Sequence, residues 1–123
     1  IDERSGLVVT ADGSHSLYNP AVGQHYHSIF GAVQESETVF IQLGLEAAFT
    51  TFPGPLRVFE MGFGTGLNAL LTAKTAGRAG RSIHYVAVET QPLAGDVARQ
   101  LNYDELLGTT LLNALHDAPN GET

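Results

Sequence analysis

One segment constrains the fold of this chain more than any other. In residues 59–71, FEMGFGTGLNALL, three alternate glycines separate an apolar stretch from a helix-forming one. Glycine has no Cβ, so it lets the backbone turn sharply and lets a ligand approach closely. A helix that starts directly after such a turn offers free N–H groups to a ligand. The segment therefore predicts a strand at residues 56–61, a ligand-binding turn at 62–66 and a helix at 67–76.

The remainder of the second half extends this pattern. Residues 83–89 form a second apolar stretch that predicts another strand, and helices are expected from Pro92 to Leu101 and from about 104 to 115. Alternating strands and helices are typical of a parallel α/β sheet. Two parallel strands cannot bury both faces of such a sheet. We therefore expect residues 56–123 to be the first half of a Rossmann-like domain with helices on both faces, its C-terminal half missing.

Residues 1–55 are expected to form an N-terminal extension over the ligand site. An Asp12-Gly13 turn between two short runs predicts a β-hairpin in the first 18 residues, and residues 21–32 are typical of a loop. A helix should follow, beginning near Ser36, with Gly44 weakening or ending it. Its expected apolar face consists of Val39, Phe40, Leu43 and Ala47. The tripeptide at 53–55, Pro-Gly-Pro, marks the boundary with the second part.

Charge and composition narrow the classes of protein. The formal net charge is −7, and five of the six Lys and Arg residues lie between positions 57 and 99, so any contact with a polyanion should come mainly from the middle of the chain. The absence of Cys excludes disulfides and a Cys nucleophile, and suits a cytoplasmic location. No apolar run approaches the roughly 20 residues of a membrane-spanning helix. His25 and His27 have no convincing third partner, so no metal is expected.

Known nucleotide-binding patterns can be compared with the glycine turn. The dinucleotide pattern G-x-G-x-x-G needs glycine where Leu67 stands, and a Walker A loop needs a Gly-Lys pair, which the single lysine, Lys74, does not provide. Glu89 ends the next strand, where a carboxylate can accept hydrogen bonds from ribose hydroxyls. The pattern that fits is E-x-G-x-G-x-G, formed by Glu60, Gly62, Gly64 and Gly66.

This pattern resembles motif I of the class I S-adenosylmethionine-dependent methyltransferases. In that family the glycine turn passes under the amino-acid end of the ligand, and the acid after the second strand holds the ribose. The resemblance implies that Glu60 orients the turn or reaches the methionine ammonium group. The cofactor-binding residues that it implies in the motif and after the second strand are Glu60, Gly62, Gly64, Gly66 and Glu89.

The flanking sequence resembles a narrower family, the tRNA 5-methylaminomethyl-2-thiouridine methyltransferases. They occur as stand-alone MnmD-type proteins and as the methyltransferase half of bifunctional MnmC. Their motif GFGTGLN is identical to residues 62–68, and their second-strand acid precedes a Pro-Leu pair, here Pro92 and Leu93. The upstream matches are Tyr26, Ser28, Gly31, Glu35, Val39 and Phe40. The resemblance spans roughly residues 12–122.

This resemblance implies methyl transfer from S-adenosylmethionine to the amine of 5-aminomethyl-(2-thio)uridine at the tRNA wobble position. Tyr26 and Ser28 would close the methionine end of the site, tRNA would be the substrate, and a flavin-dependent oxidoreductase would be a functional partner. The family's Asp-x-Phe-x-Pro motif has no match here, so the catalytic residues are expected downstream of residue 123 and this segment alone should be inactive. An NAD(P)-dependent oxidoreductase and a non-catalytic nucleoside-binding module remain as alternatives.

Overall fold

Two sheets organise the described part of the chain, which is residues 6–19, 24–25 and 31–118 of this computed structural model. An antiparallel sheet contains β1 (Leu7–Val9), β2 (His15–Asn19) and β3 (Gln24–His25). A parallel sheet contains β4 (Leu56–Met61) and β5 (Ile83–Val88). A long helical run connects the two sheets. No helix in these described ranges is long and apolar enough to cross a membrane.

The N-terminal hairpin is confirmed. Strands β1 and β2 pair antiparallel around a turn in which Gly13 has a φ of 84°. The expected loop at 21–32 is wrong in one respect, because β3 pairs with the end of β2 and extends the sheet to three strands. The rest of that loop up to residue 30 lies outside the described residues.

The helix expected near Ser36 begins earlier and is longer. Helix α1 (Ala32–Ser36) continues into a π-helical segment (Glu37–Glu46) and then into α2 (Ala47–Thr51). Gly44 does not end the run. The widened turns bury Ile41 and Leu45, whereas Val39 and Leu43 are 61% and 72% exposed. Of the predicted apolar face, Phe40 does pack against the core, whereas Ala47 is exposed like Val39 and Leu43. The buried face differs because a π-helical segment does not keep the 3.6-residue period on which the prediction depended.

Side chains of the hairpin cap the start of this run. The free N–H groups of Ala32, Val33 and Gln34 donate to Thr10 Oγ1, Ser14 Oγ and Asp12 Oδ2 at 3.1, 3.1 and 2.9 Å. These N–H groups have no partner within the helix, so the hairpin supplies the caps. Burial raises the pKa of Asp12, but hydrogen bonds from Ser14 and from the Gln34 backbone outweigh it and lower the pKa to about 2.

The strand–helix–strand unit is confirmed. Helix α3 (Leu67–Ala79) connects β4 to β5, and the strands pair in parallel from Leu56–Ile83 to Met61–Val88. One face of this sheet packs against the core, which includes Leu67, Leu70 and Leu71 of α3. On the other face, Phe59 and Met61 are 62% and 81% exposed. Within the described ranges, helices therefore cover one face of the sheet rather than the two that were expected.

Three short helices complete the described chain. They are α4 (Gly95–Ala98), α5 (Tyr103–Leu107) and α6 (Leu112–His116). The helix expected from Pro92 forms only as α4, and the helix expected from 104 to 115 is divided at Gly108, whose φ of 67° ends α5. The Asp104 carboxylate accepts the Leu112 N–H at 3.2 Å, so a side chain of one helix caps the next.

Candidate functional site

The glycine turn connects the end of β4 to the start of α3. Gly62, Gly64 and Gly66 have φ values of 88°, 57° and 82°, a region that side chains with a Cβ rarely adopt. The N–H groups of Gly62 and Phe63 both donate to the Val88 carbonyl, at 2.8 and 3.1 Å. The turn is therefore fixed to the carboxyl end of β5, at the edge of an α/β sheet where ligands bind.

Glu89 lies directly after β5 and reaches the turn. Its Oε1 accepts the Gly64 N–H at 2.7 Å, and its Oε2 accepts the Gln91 N–H at 3.1 Å. The two hydrogen bonds orient the half-buried carboxylate and link the turn to the segment that follows β5. The structure therefore brings together two of the features that the sequence assigned to a cofactor site.

Glu60 is buried and holds two neighbouring elements together. The Tyr85 hydroxyl of β5 donates to its Oε1 at 2.8 Å, and Asn68 Nδ2 of α3 donates to its Oε2 at 3.0 Å. Burial raises the pKa of Glu60 above its ordinary value of 4.5, and the negative charge of Glu89 raises it further, although the two hydrogen bonds oppose this. Asn68 Oδ1 is buried without a hydrogen-bond partner. Sequence reasoning did not identify Tyr85, and Asn68 entered it only as the last residue of the motif at 62–68.

Two further side chains that sequence reasoning missed hold Thr65, the residue between Gly64 and Gly66 of the turn. Tyr103 hydrogen-bonds to Thr65 Oγ1 at 3.2 Å, and His116 Nε2 lies 2.7 Å from the Thr65 carbonyl oxygen. Tyr103 and His116 are 38 and 51 residues from Thr65 in the sequence. Spacing from the glycine turn could not have assigned them this role.

A cavity of about 520 Å³ opens beside the turn. Its lining includes Phe63, Tyr85, Glu89, Pro92, Leu93 and His116. Pro92 and Leu93 were expected near the site only because they follow Glu89 in the motif. A second cavity of about 570 Å³ lies at the opposite end of the strands, around Leu56 and Arg57, away from the turn. The first cavity extends from the turn along α3 and along β5 from Ile83 to Glu89. Its end at Glu89 lies at the carboxyl end of the strand, where ligands bind in an open α/β sheet.

Two predicted site residues, Tyr26 and Ser28, lie outside the described residues, as does His27 of the His-x-His pair. Among the residues that the structure describes, no group of three or more His, Cys, Asp or Glu side chains is arranged to hold a metal ion.

Comparison with known proteins identifies MnmC proteins as relatives of this chain. No protein-family model matches the chain. The tRNA 5-methylaminomethyl-2-thiouridine biosynthesis bifunctional protein MnmC of Delftia acidovorans is 38% identical over 87 residues, or 68% of this chain. The proteins of the same name from Polaromonas sp. and Burkholderia mallei are 39% and 36% identical, over 81% and 92% of this chain. Its homologues are MnmC proteins. The chain spans only 13% to 17% of the length of these three.

A solved structure shows the same fold. MnmC2 from Aquifex aeolicus superposes with a TM-score of 0.69 at 22% sequence identity, and the likeness covers 95% of this chain and 38% of that one. The chain therefore has the fold of one part of that protein. No finding supports the flavin-dependent partner that the resemblance implies, and that link stays a prediction.

Proposed function

We propose that this chain forms part of a tRNA-modifying methyltransferase. The protein would transfer a methyl group from S-adenosylmethionine to the amine of 5-aminomethyl-(2-thio)uridine at the wobble position. The name of the MnmC relatives, which describes biosynthesis of this type of tRNA nucleoside, supports the substrate class. The geometry of the glycine turn supports the cofactor.

The observation that carries the proposal is the pairing of Gly64 with Glu89. In a turn that binds a diphosphate, backbone N–H groups are directed at the phosphate oxygens. Here the Gly64 N–H donates to a carboxylate at 2.7 Å, and a second carboxyl, Glu60, is close enough for Glu89 to raise its pKa. A dinucleotide phosphate would meet negative charge at this position. A ribose and a positively charged sulfonium ligand would not be repelled, so the donor set fits S-adenosylmethionine better than NAD(P).

The residues of the turn have separate roles in this proposal. Bound S-adenosylmethionine would supply an electrophilic methyl group. Gly62 is exposed, and a Cβ at that position would have no atom within 4 Å, so the amino-acid end of the cofactor can approach the backbone there. Glu89 accepts one N–H on each oxygen, which leaves carboxylate lone pairs for the ribose hydroxyls. Glu60 would orient the turn through α3 and β5.

The methionine end and the acceptor side complete the proposal. Tyr26 and Ser28 would close the methionine end of the site. The acceptor amine must be deprotonated before it attacks the methyl group, which calls for a general base. We assign no residue of this chain to that step.

Ligand titration of the full-length protein tests the cofactor. S-adenosylhomocysteine at 100 times its dissociation constant should stabilise the protein by about 2.7 kcal/mol, whereas NAD+ should have no effect. Glu89→Gln removes a charged acceptor, and loss of such hydrogen bonds should weaken binding by about 10- to 100-fold. The matched control is Glu105→Gln, an exposed carboxylate on α5. A shift with NAD+ and none with S-adenosylhomocysteine would favour the oxidoreductase alternative.

Methyl transfer tests the substrate. The full-length protein, supplied with S-adenosylmethionine carrying a labelled methyl group, should label tRNA that contains 5-aminomethyl-2-thiouridine. Digestion and mass spectrometry should find the label on the wobble nucleoside. The same tRNA without the aminomethyl group is the control. If S-adenosylhomocysteine binds but neither tRNA is labelled, the substrate assignment is wrong and the non-catalytic alternative gains support.

A further inference from the structure

Thr65, which follows Gly64 in the glycine turn, is held by side chains other than Glu89. Thr65 is fully buried, and its Oγ1 hydrogen-bonds to the Tyr103 hydroxyl at 3.2 Å. The same hydroxyl donates to the His15 carbonyl at 2.6 Å, so it also ties the turn to strand β2. Tyr103 is itself fully buried, which leaves its hydroxyl little freedom to move.

His116 fixes the backbone of the same residue. Its Nε2 lies 2.7 Å from the Thr65 carbonyl oxygen. A carbonyl oxygen only accepts hydrogen bonds, so Nε2 must carry the proton and donate it. The imidazole also lies edge-on to the Phe63 ring, with centroids 5.1 Å apart and planes at 80°. One side chain of α6 therefore contacts two residues of the turn, Phe63 and Thr65.

These contacts also explain why position 66 is glycine. A Cβ there would lie 2.9 Å from Phe63 Cζ and 3.0 Å from His116 Nε2, and Gly66 has a φ of 82°. The two rings fill the space next to the turn, so it cannot shift toward them. The turn is therefore held by side chains from α5 and α6 as well as by its own glycines.

We propose that Tyr103 and His116 are positioning residues that hold the glycine turn in its ligand-binding shape before the ligand arrives. The inference rests on the proposed function, because the ligand of the turn is S-adenosylmethionine in that proposal. Neither residue needs to touch the ligand. A site that is already ordered binds more tightly, since less freedom is lost on binding.

Hydrogen exchange and titration on the full-length protein test this inference. His116→Leu keeps the bulk and removes the donor, whereas His116→Gln keeps an N–H in the place of Nε2. Tyr103→Phe removes only the hydroxyl. His84→Leu, at an exposed position on β5, is the control. The amides of Gly64 and Gly66 are hydrogen-bonded, so their exchange reports opening of the turn.

Loss of one such hydrogen bond is expected to speed exchange of these two amides about fivefold and to weaken S-adenosylhomocysteine binding about fivefold. His116→Gln should restore both, and His84→Leu should change neither. Unchanged exchange in His116→Leu and Tyr103→Phe overturns the inference, as does faster exchange with unchanged affinity. If the unmodified protein does not bind S-adenosylhomocysteine, the proposed function fails. In that case hydrogen exchange alone tests whether Tyr103 and His116 hold the turn. Faster exchange in the variants confirms that they do, and unchanged exchange overturns it.

Discussion

Glu60 provides the sharpest test of the energetics of the site. It is 7% exposed and accepts one hydrogen bond from Tyr85 and one from Asn68. Substitution by Ala would leave two half-buried donors without this partner. A fully buried donor would lose about 1–3 kcal/mol, and access to water lowers that cost for each of these two. Glu60→Ala should therefore lower the free energy of unfolding by about 1–3 kcal/mol in total at neutral pH.

Glu60→Gln should behave differently, because it keeps the shape of the side chain and removes the charge. Its carbonyl oxygen can still accept from Tyr85. Asn68 Oδ1 is buried without a partner. If the Asn68 amide rotates by about 180°, this oxygen can accept a hydrogen bond from the new Gln amide. The cost of Glu60→Gln should therefore stay within about 1 kcal/mol.

Because Glu60 can gain or lose a proton and Gln cannot, the stability of the unmodified protein and that of Glu60→Gln should depend differently on pH. The pKa of Glu60 is raised by folding, first by burial and then by the charge of Glu89, so the folded protein binds this proton more tightly than the unfolded chain. As the pH rises above the ordinary value of 4.5, the unmodified protein therefore loses stability until the folded pKa is passed. Glu60→Gln has no such proton. Over this pH range, its free energy of unfolding should therefore increase relative to that of the unmodified protein.

Urea denaturation, followed by far-ultraviolet circular dichroism between pH 4.5 and 8, measures this difference. Glu105→Gln, which removes an exposed carboxylate, corrects for the change in net charge. A difference between the unmodified protein and Glu60→Gln that does not change with pH would refute the reasoning. So would a loss for Glu60→Gln as large as the loss for Glu60→Ala.

Local geometry also predicts the effects of three other substitutions. Asp12→Asn should lower the free energy of unfolding by about 1 kcal/mol at neutral pH, a value reduced because the side chain is exposed. Folding lowers the pKa of Asp12 to about 2, so the stability difference between the unmodified protein and Asp12→Asn should vanish as the pH falls from 3.8 to about 2. Thermal denaturation that shows the same difference at every pH would contradict this prediction. Gly66→Ala should cost about 1–2 kcal/mol, since φ is 82°, and should weaken S-adenosylhomocysteine binding. Gly77 lies inside α3 with open space around it, so Gly77→Ala should instead stabilise the protein by about 0.5–1 kcal/mol. Equal melting temperatures for Gly66→Ala and Gly77→Ala would contradict both expectations.

The helical run shows where sequence periodicity is insufficient. Between positions 39 and 45 the chain has apolar residues at 39, 40, 41, 43 and 45, so more than one face of a helix could be buried. The structure selects Ile41 and Leu45. That choice depends on the π-helical turns and on packing against α3, neither of which a single-sequence pattern encodes. The hairpin, by contrast, was predictable because the Asp12-Gly13 turn is a local signal.

The candidate site was predictable to the extent that it is contiguous in sequence. The strand, the three glycines and Glu89 were all found from spacing alone. Tyr85 could have been predicted from the strands. The parallel register pairs it with Val58, which lies two residues before Glu60 and on the same face of the sheet. Spacing does not assign such a role to Tyr103 or His116. Their contacts with Thr65 depend on how α5 and α6 pack, which the local sequence does not determine.

The structure also changes what the basic residues in the middle of the chain can do. Arg81 is fully engaged by the protein itself, because its guanidinium donates to the carbonyls of Phe49, Phe52 and Gly54 and lies 4.7 Å from the Phe49 ring centroid. It holds the end of α2 and the Pro-Gly-Pro boundary against the start of β5, and it is therefore a poor candidate for a phosphate contact.

Four of the five Lys and Arg residues between 57 and 99 then remain, in a chain of net charge −7. If tRNA is the substrate, as we propose, this segment would contribute few of the phosphate contacts on which affinity for nucleic acid depends. Its role would be to hold the cofactor, and the main RNA-binding surface would belong to other parts of the protein.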